Sequence, residues 1–205
     1  MVPPGAVVAD IGTDHAHLPI YLVQSGQVIS PGSLAKARQA VEAAGLEHKI
    51  LLRLGSGLTV LAPEEAPTVV IAGLGPDTIA DIIGATPKVT ASTQLFLLQP
   101  MHNPGQLRRR LVQIGLTLAD EFLVRERQGF YVIMAATVGT MPSFCPELLE
   151  IGPCLVTKSD PLLSDYVAQR IGQEEQVRSK VGCSSGRSAR EILYGCQSQL
   201  RDKPN

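Results

Sequence analysis

Residues 68–86 read TVVIAGLGPDTIADIIGAT. An apolar run of strand length ends in Gly73-Leu74-Gly75-Pro76-Asp77, and a segment of helix length follows at once. A run this uniformly apolar is buried on both faces, as in a parallel sheet covered by helices. The same unit recurs on either side. Downstream, TQLFLLQP (93–100) leads into GQLRRRLVQIGL (105–116). Upstream, AVVADI (6–11), QVIS (27–30) and KILLRLGSG (49–57) alternate with LPIYLVQSG (18–26) and SLAKARQAVEAAGL (33–46). Alternation of this kind indicates a doubly wound α/β sheet. Ser33 can cap the helix of 33–46 and Gly45 can end it, while Pro104 and Gly105 can open the helix that carries the arginines.

Beyond residue 116 two strand-like runs, LTLADEFLVRE and FYVIMAATVG, flank Arg127-Gln128-Gly129, which reads as a hairpin turn; the sheet is expected to finish with an antiparallel pair. Pro142 and Pro146 punctuate a linker. The residues that follow become polar and helical, in PLLSDYVAQRIGQEEQVRSKV (161–181) and RSAREILYGCQSQLRD (187–202), with a break at GCSSG (182–186). The expected organisation is a sheet domain over residues 1–141 and a small helical unit over 147–205. Two narrow apolar stripes suit a helical hairpin packed on the sheet or on a partner.

The chain has 205 residues, enough for one well-buried domain and an appendage. No apolar run is long enough for a membrane span, and the first twenty residues lack the charged and apolar regions of a secretion signal, so a soluble cytoplasmic protein is expected. Cys145, Cys154, Cys183 and Cys196 are too widely spaced for a CxxC metal or redox pair, and no metal site is expected. Net charge is −1, which argues against bulk attraction to nucleic acid. The balance nevertheless shifts from −3 over residues 1–106 (5 basic, 8 acidic) to +2 over 151–205 (8 basic, 6 acidic). A local basic patch for RNA is therefore available, built from Arg108, Arg109 and Arg110 with the C-terminal basic residues Arg178, Lys180, Arg187 and Arg190. A solvated helix face is the plainer reading of any one of them.

In an open α/β sheet, ligands bind at the carboxyl ends of the strands. The loops expected there are Asp10-Ile11-Gly12-Thr13-Asp14-His15, Ser30-Pro31-Gly32, Gly55-Ser56-Gly57, Gly73-Leu74-Gly75 and Gln99-Pro100-Met101-His102-Asn103. Gly12 permits a sharp turn and a close approach of ligand to backbone. A pyrophosphate favours further glycines and exposed amides at such a turn. Asp10 and Asp14 instead place negative charge beside it, which suits a ligand with a sulfonium or ammonium group such as S-adenosylmethionine. Asp14 can equally be a helix cap. The absence of GxGxxG after the first strand and of an acid after the second argues against a nicotinamide enzyme.

VADIGTDHAHLPIYLV, RLGSGL, IAGLG, LLQPM followed by QLRRRL, and DEFLVRERQGFYVIM together resemble the bacterial tRNA (adenine(22)-N(1))-methyltransferases, over nearly the whole chain. The resemblance implies a Rossmann-like class I methyltransferase sheet, a coiled-coil-like helical C-terminal domain, S-adenosyl-L-methionine as cofactor and tRNA as substrate. It also implies a short helix ahead of Val2-Pro3-Pro4-Gly5, where this sequence begins. Asp10, Gly12, Thr13, Asp14 and His15 would then line the methionine end of the cofactor. Ser30 stands where the family has an acid for the ribose, and Ser56, followed by Gly57, where it tends to have Asp beside the adenine. Gly73 and Gly75 match a GMGG motif in which Pro76 replaces the last glycine.

Adenine N1 is unprotonated at neutral pH, so positioning can supply most of the catalysis. Asp14 is the catalytic candidate, either stabilising the cationic product or fixing the cofactor's amino group. Gln99, Pro100 and Met101 are the candidate wall for the adenine, and Arg108 and Arg109 the candidate phosphate contacts. Met101 and His102 are balanced between packing and base contact, and His17 and His48 read as incidental. The competing reading is a degenerate methyltransferase fold that binds RNA or a partner without catalysis. The C-terminal helices leave monomer and dimer both open.

Overall fold

A computed structural model describes residues 1–12, 17–24, 34–127 and 129–181. Five strands form one mixed sheet: β1 (Val8–Ile11), β2 (Thr68–Leu74), β3 (Leu95–Pro100), β4 (Leu116–Glu126) and β5 (Gly129–Val138). Their order is β1-β2-β3-β5-β4. β1, β2 and β3 run parallel, with Val8 opposite Thr68 and Thr68 opposite Leu95. β5 returns antiparallel to β3 and pairs with β4, down to Glu126 opposite Gly129, so the expected hairpin turns where 127–129 places it. This is the Rossmann-like α/β arrangement.

Eight helices complete the described chain: α1 (His17–Gln24), α2 (Leu34–Ala44), α3 (Pro76–Gly84), α4 (Pro87–Ser92), α5 (Pro104–Gln113), α6 (Pro146–Ile151), α7 (Pro153–Thr157) and α8 (Leu163–Val181). Five of them, α3 to α7, open on proline, whose fixed φ suits a first turn and whose missing N–H is not needed there. Gly45 ends α2 at φ 66°.

The period-2 alternation of the strands divides the core. Ile71, Phe96 and Leu98 face one side with Ile79, Ile83 and Leu107 from the helices. Val70 and Leu97 face the other, where Val8 and Leu22 meet them. Both faces of β2 and β3 are thus buried, as their sequences require. The larger core continues without interruption into Leu148, Leu155, Leu163 and Tyr166, so the start of the C-terminal region shares the sheet's own core.

One strand expectation does not appear, and another is not tested. Residues 27–30 lie outside the described residues. KILLRL, read as a strand, pairs with no described strand, and Leu54 is 83% exposed. Apolar composition marks a segment as fit for a ladder, but the ladder needs a neighbour to donate and accept its hydrogen bonds. Arg53 is held instead by Glu65 and by the carbonyl of Val60, 2.7 Å from its Nη1. No helix among the described residues is long and apolar enough to cross a membrane.

Candidate functional site

β1, β2 and β3 are parallel neighbours, so the loops at their carboxyl ends meet along one edge of the sheet. Asp10 lies in register with Val70, buried just beneath that edge. Gly12 follows it, exposed and at φ 84°. A side chain forced into this left-handed region costs roughly 1–2 kcal/mol, which is why the turn holds glycine.

At the end of β2 the ladder slips between Ala72 and Leu74, and Gly73 occupies the slip at φ 74°. A Cβ on Gly73 would meet nothing within 4 Å, so the backbone here faces open space. The Gly73 N–H donates to Gln99 Oε1 at 3.0 Å, and Gln99 Nε2 donates to the Pro100 carbonyl at 2.8 Å. The Met101 N–H donates to the Leu74 carbonyl at 2.9 Å. Gly75 precedes α3, and a Cβ on it would stand 3.6 Å from His102 Nε2. Gly12, Gly73, Gly75, Gln99, Pro100 and Met101 are therefore assembled on one edge. Met101 is 68% exposed, which decides against core packing for this residue.

Ser56 and Gly57 are set apart. Gly57 begins a 3-10 turn (Gly57–Val60) at φ 56°, and its absent Cβ would lie 2.9 Å from Ile82 Cγ2. Ile82 is six residues along α3 from Pro76, roughly 9 Å at 1.5 Å per residue. The Ser56 carbonyl accepts bonds from the N–H and hydroxyl of Thr59. Thr13, Asp14, His15 and Ser30 lie outside the described residues.

The arginine run corrects an expectation. One helical step of about 100° turns Arg108, Arg109 and Arg110 onto three different faces of α5. Arg108 is fully buried: its Nε donates to Glu121 Oε1 at 2.6 Å, and its Nη1 to the carbonyls of Leu149 and Glu150. It cannot reach an RNA phosphate and serves to bind α5 to β4 and α6. Glu121 completes the joint by accepting the Cys154 N–H on its second oxygen at 3.0 Å. Burial, with Glu121 beside it, pushes the Cys154 thiol up to about 11. Arg109 is 46% exposed and paired with Glu150. Arg110 bonds Asp81 at 2.6 Å, with Asp77 at 3.6 Å.

A cavity of about 580 Å³ adjoins the end of β3, between residues 100–104, the β4–β5 turn and α8. Sequence reasoning missed it, because Tyr166 reads there as one more apolar position on an amphipathic helix. Tyr166 is 4% exposed and packs edge-on against Phe130, with ring centroids 5.9 Å apart. Its hydroxyl is buried without a hydrogen-bond partner among the described residues, and burial raises its pKa. Such an orphan costs about 1–3 kcal/mol. Among the described residues no group of three His, Cys, Asp or Glu side chains could hold a metal.

A Rossmann-like sheet with glycine turns on its carboxyl edge is the frame of a nucleotide-cofactor protein. The family profile of the methyltransferase domain matches residues 1–134, and the chain belongs to that family. It is 36% identical over 145 residues to the tRNA (adenine(22)-N(1))-methyltransferase of Bacillus subtilis strain 168, a stretch covering 67% of this chain and 61% of that protein's length. The crystal structure of the B. subtilis m1A22 tRNA methyltransferase TrmK superposes with a TM-score of 0.75 at 26% identity, covering 98% of this chain and 91% of that one. A Streptococcus pneumoniae protein provisionally assigned as a tRNA (m1A22) methyltransferase, solved with S-adenosyl-L-methionine, gives a TM-score of 0.77 at 27% identity, covering 97% and 92%.

Proposed function

We propose that this chain methylates N1 of an adenine in tRNA, at position 22 by its likeness to the enzymes above, with S-adenosyl-L-methionine as cofactor. The observation that carries the reading is the pair of exposed glycine turns at Gly12 and Gly73, with open space where a Cβ of Gly73 would stand, in a chain alike over nearly its whole length to an m1A22 methyltransferase. The cofactor, when bound, supplies a methyl group on a positively charged sulfur, which an unprotonated ring nitrogen can take.

The chain's own residues then divide the work. Asp10, Gly12, Thr13 and His15 hold the methionine end, with Gly73 and Gly75 closing over it. Ser56 and Gly57, offset toward the far half of α3, are left to the adenosine end, as is Ser30 by the family resemblance. Gln99 has both ends of its amide committed to Gly73 and Pro100, so it positions the wall while Pro100 and Met101 face the base. Asp14 answers the positive charge of the product or fixes the cofactor's amino group. Residues 147–205 form the helical unit that extends the tRNA contact, with Arg109 at its border. The protein acts in the cytoplasm, where tRNA is.

The test is incubation with unmodified bacterial tRNA and methyl-labelled cofactor, followed by mapping of the methylated nucleotide. Label at adenine N1 is expected. Asp14→Ala should abolish it while the melting temperature is unchanged; near-normal turnover by this variant removes Asp14 from the mechanism.

A further inference from the structure

We infer that the target adenine is read along its N6–N7 edge by His102 and Thr78, whose polar side-chain ends converge over Gly75 and leave N1 free to take the methyl group. The inference rests on the methyl-transfer reading and adds to it the residues that choose the base.

Gly75 does not owe its missing side chain to the fold. Its φ is −69°, which any residue adopts, and a Cβ there would meet no atom closer than 3.6 Å. The polar atoms around that empty position are His102 Nε2 at 3.6 Å and Thr78 Oγ1 at 3.9 Å, so the two side chains point at one place from two elements. Both residues are exposed, and neither side chain has a hydrogen-bond partner among the described residues. The loop that carries His102 is fixed on either side of it. The Met101 N–H is bonded to the Leu74 carbonyl, and Asn103 turns the chain into α5 at φ 45° without a side-chain cap bond. A non-glycine residue in that left-handed region is strained, and strain of this kind gathers at functional positions.

The chemistry of the pair selects the base. Along this edge adenine presents its N6 amino donor beside the N7 acceptor, whereas guanine presents two acceptors, N7 and O6. A threonine hydroxyl can donate to N7, and an imidazole nitrogen without a proton can accept from N6. Guanine would set O6 against that same nitrogen, acceptor to acceptor. Contacts on this edge leave N1 on the far side of the amino group. Gly73 lies two residues back, at most about 7 Å away, a distance that a purine ring bridges. A phosphate is the wrong occupant here, because Asp77 in the first turn of α3 holds a carboxylate beside the site, bonded by Gln106 at 2.7 Å. Met101, 68% exposed next to His102, supplies the apolar contact for the ring.

The test uses the full chain and tRNA assembled by ligation, with adenosine or 7-deazaadenosine at the methylated position; the second keeps N1 and N6 and has carbon in place of N7. The wild type is expected to lose about tenfold in kcat/KM on the 7-deaza substrate. Thr78→Val should lose about tenfold on adenosine and nothing further on 7-deazaadenosine. His102→Ala should lose about tenfold on adenosine, and His102→Gln, whose amide oxygen can stand where Nε2 stands, should recover most of it. Melting temperature and the cofactor's Kd should stay at wild-type levels in all three variants. If the losses from Thr78→Val and from 7-deazaadenosine multiply to about a hundredfold, Thr78 does not touch N7 and the proposal is overturned. A His102→Gln variant as impaired as His102→Ala, or a His102→Ala variant as active as the wild type, overturns it as well. A wild type that methylates no adenine N1 brings down the methyl-transfer reading together with this one, whereas an active wild type with any of those patterns brings down this one alone.

Discussion

The carboxyl edge of β1 and β2 and the joint between α5, β4 and α6 are built on opposite principles. The first consists of backbone: Gly12, Gly73 and Gly75 expose main-chain groups, and a side chain at Gly73 would touch nothing. The second is a knot of charge, with Arg108 and Glu121 fully buried and further tied to Leu149, Glu150 and Cys154. The edge proposed to admit a ligand turns on glycines, and the region beside it is locked by buried charge. Buried ion pairs add little net stability over an apolar pair, but removing one partner strands a buried charge.

Breaking the locked side should give the largest effect. Arg108→Ala leaves Glu121 buried without its partner and is expected to lose about 3–5 kcal/mol in urea unfolding. The double variant Arg108→Met with Glu121→Leu should recover most of that loss; if both unfold equally easily, the pair is not the source. On the open side the effect should be smaller in stability and larger in binding. Gly73→Ala places a Cβ at φ 74°, which costs roughly 1–2 kcal/mol. Calorimetric titration should show cofactor affinity down at least tenfold, and unchanged affinity would move the ligand away from this edge. A further measurement tests closure of the joint. In a chain whose other three cysteines are serine, Cys154 should react with iodoacetamide at pH 8 about a hundredfold more slowly than after unfolding, since its thiol is held at about 11. Equal rates would mean that the joint opens readily.

The sheet edge was legible because it is local. TVVIAGLG contains strand, break and glycine in one stretch, and the turn at 127–129 sits between two runs of matching length. The fate of Arg108 was not local. In β4 the inward phase passes through Leu116 and Leu118, then slips at the bulge between Leu118 and Asp120. Glu121 and Leu123 take over the inward positions, so an acid lands where the alternation before the bulge would put it outside. A glutamate on that strand and an arginine on the preceding helix were the visible signal, but only the bulge makes them meet. KILLRL is a related case: among the described residues it has no strand beside it, and composition cannot name the neighbour a strand needs. The cavity escaped because its parts come from three separate segments, at 100–104, 126–132 and 166–173.

The spread of Arg108, Arg109 and Arg110 over three faces of α5 has a consequence for how salt affects binding. A basic run that grips a polyanion displaces condensed counterions, and each phosphate it neutralises steepens the fall of affinity with ionic strength. Here each of the three already pairs with a carboxylate, Glu121, Asp81 or, shared between Arg109 and Arg170, Glu150. The densest basic cluster in the sequence would therefore release few ions to the proposed RNA, and the ionic-strength slope of binding is expected to report on cations elsewhere in the chain.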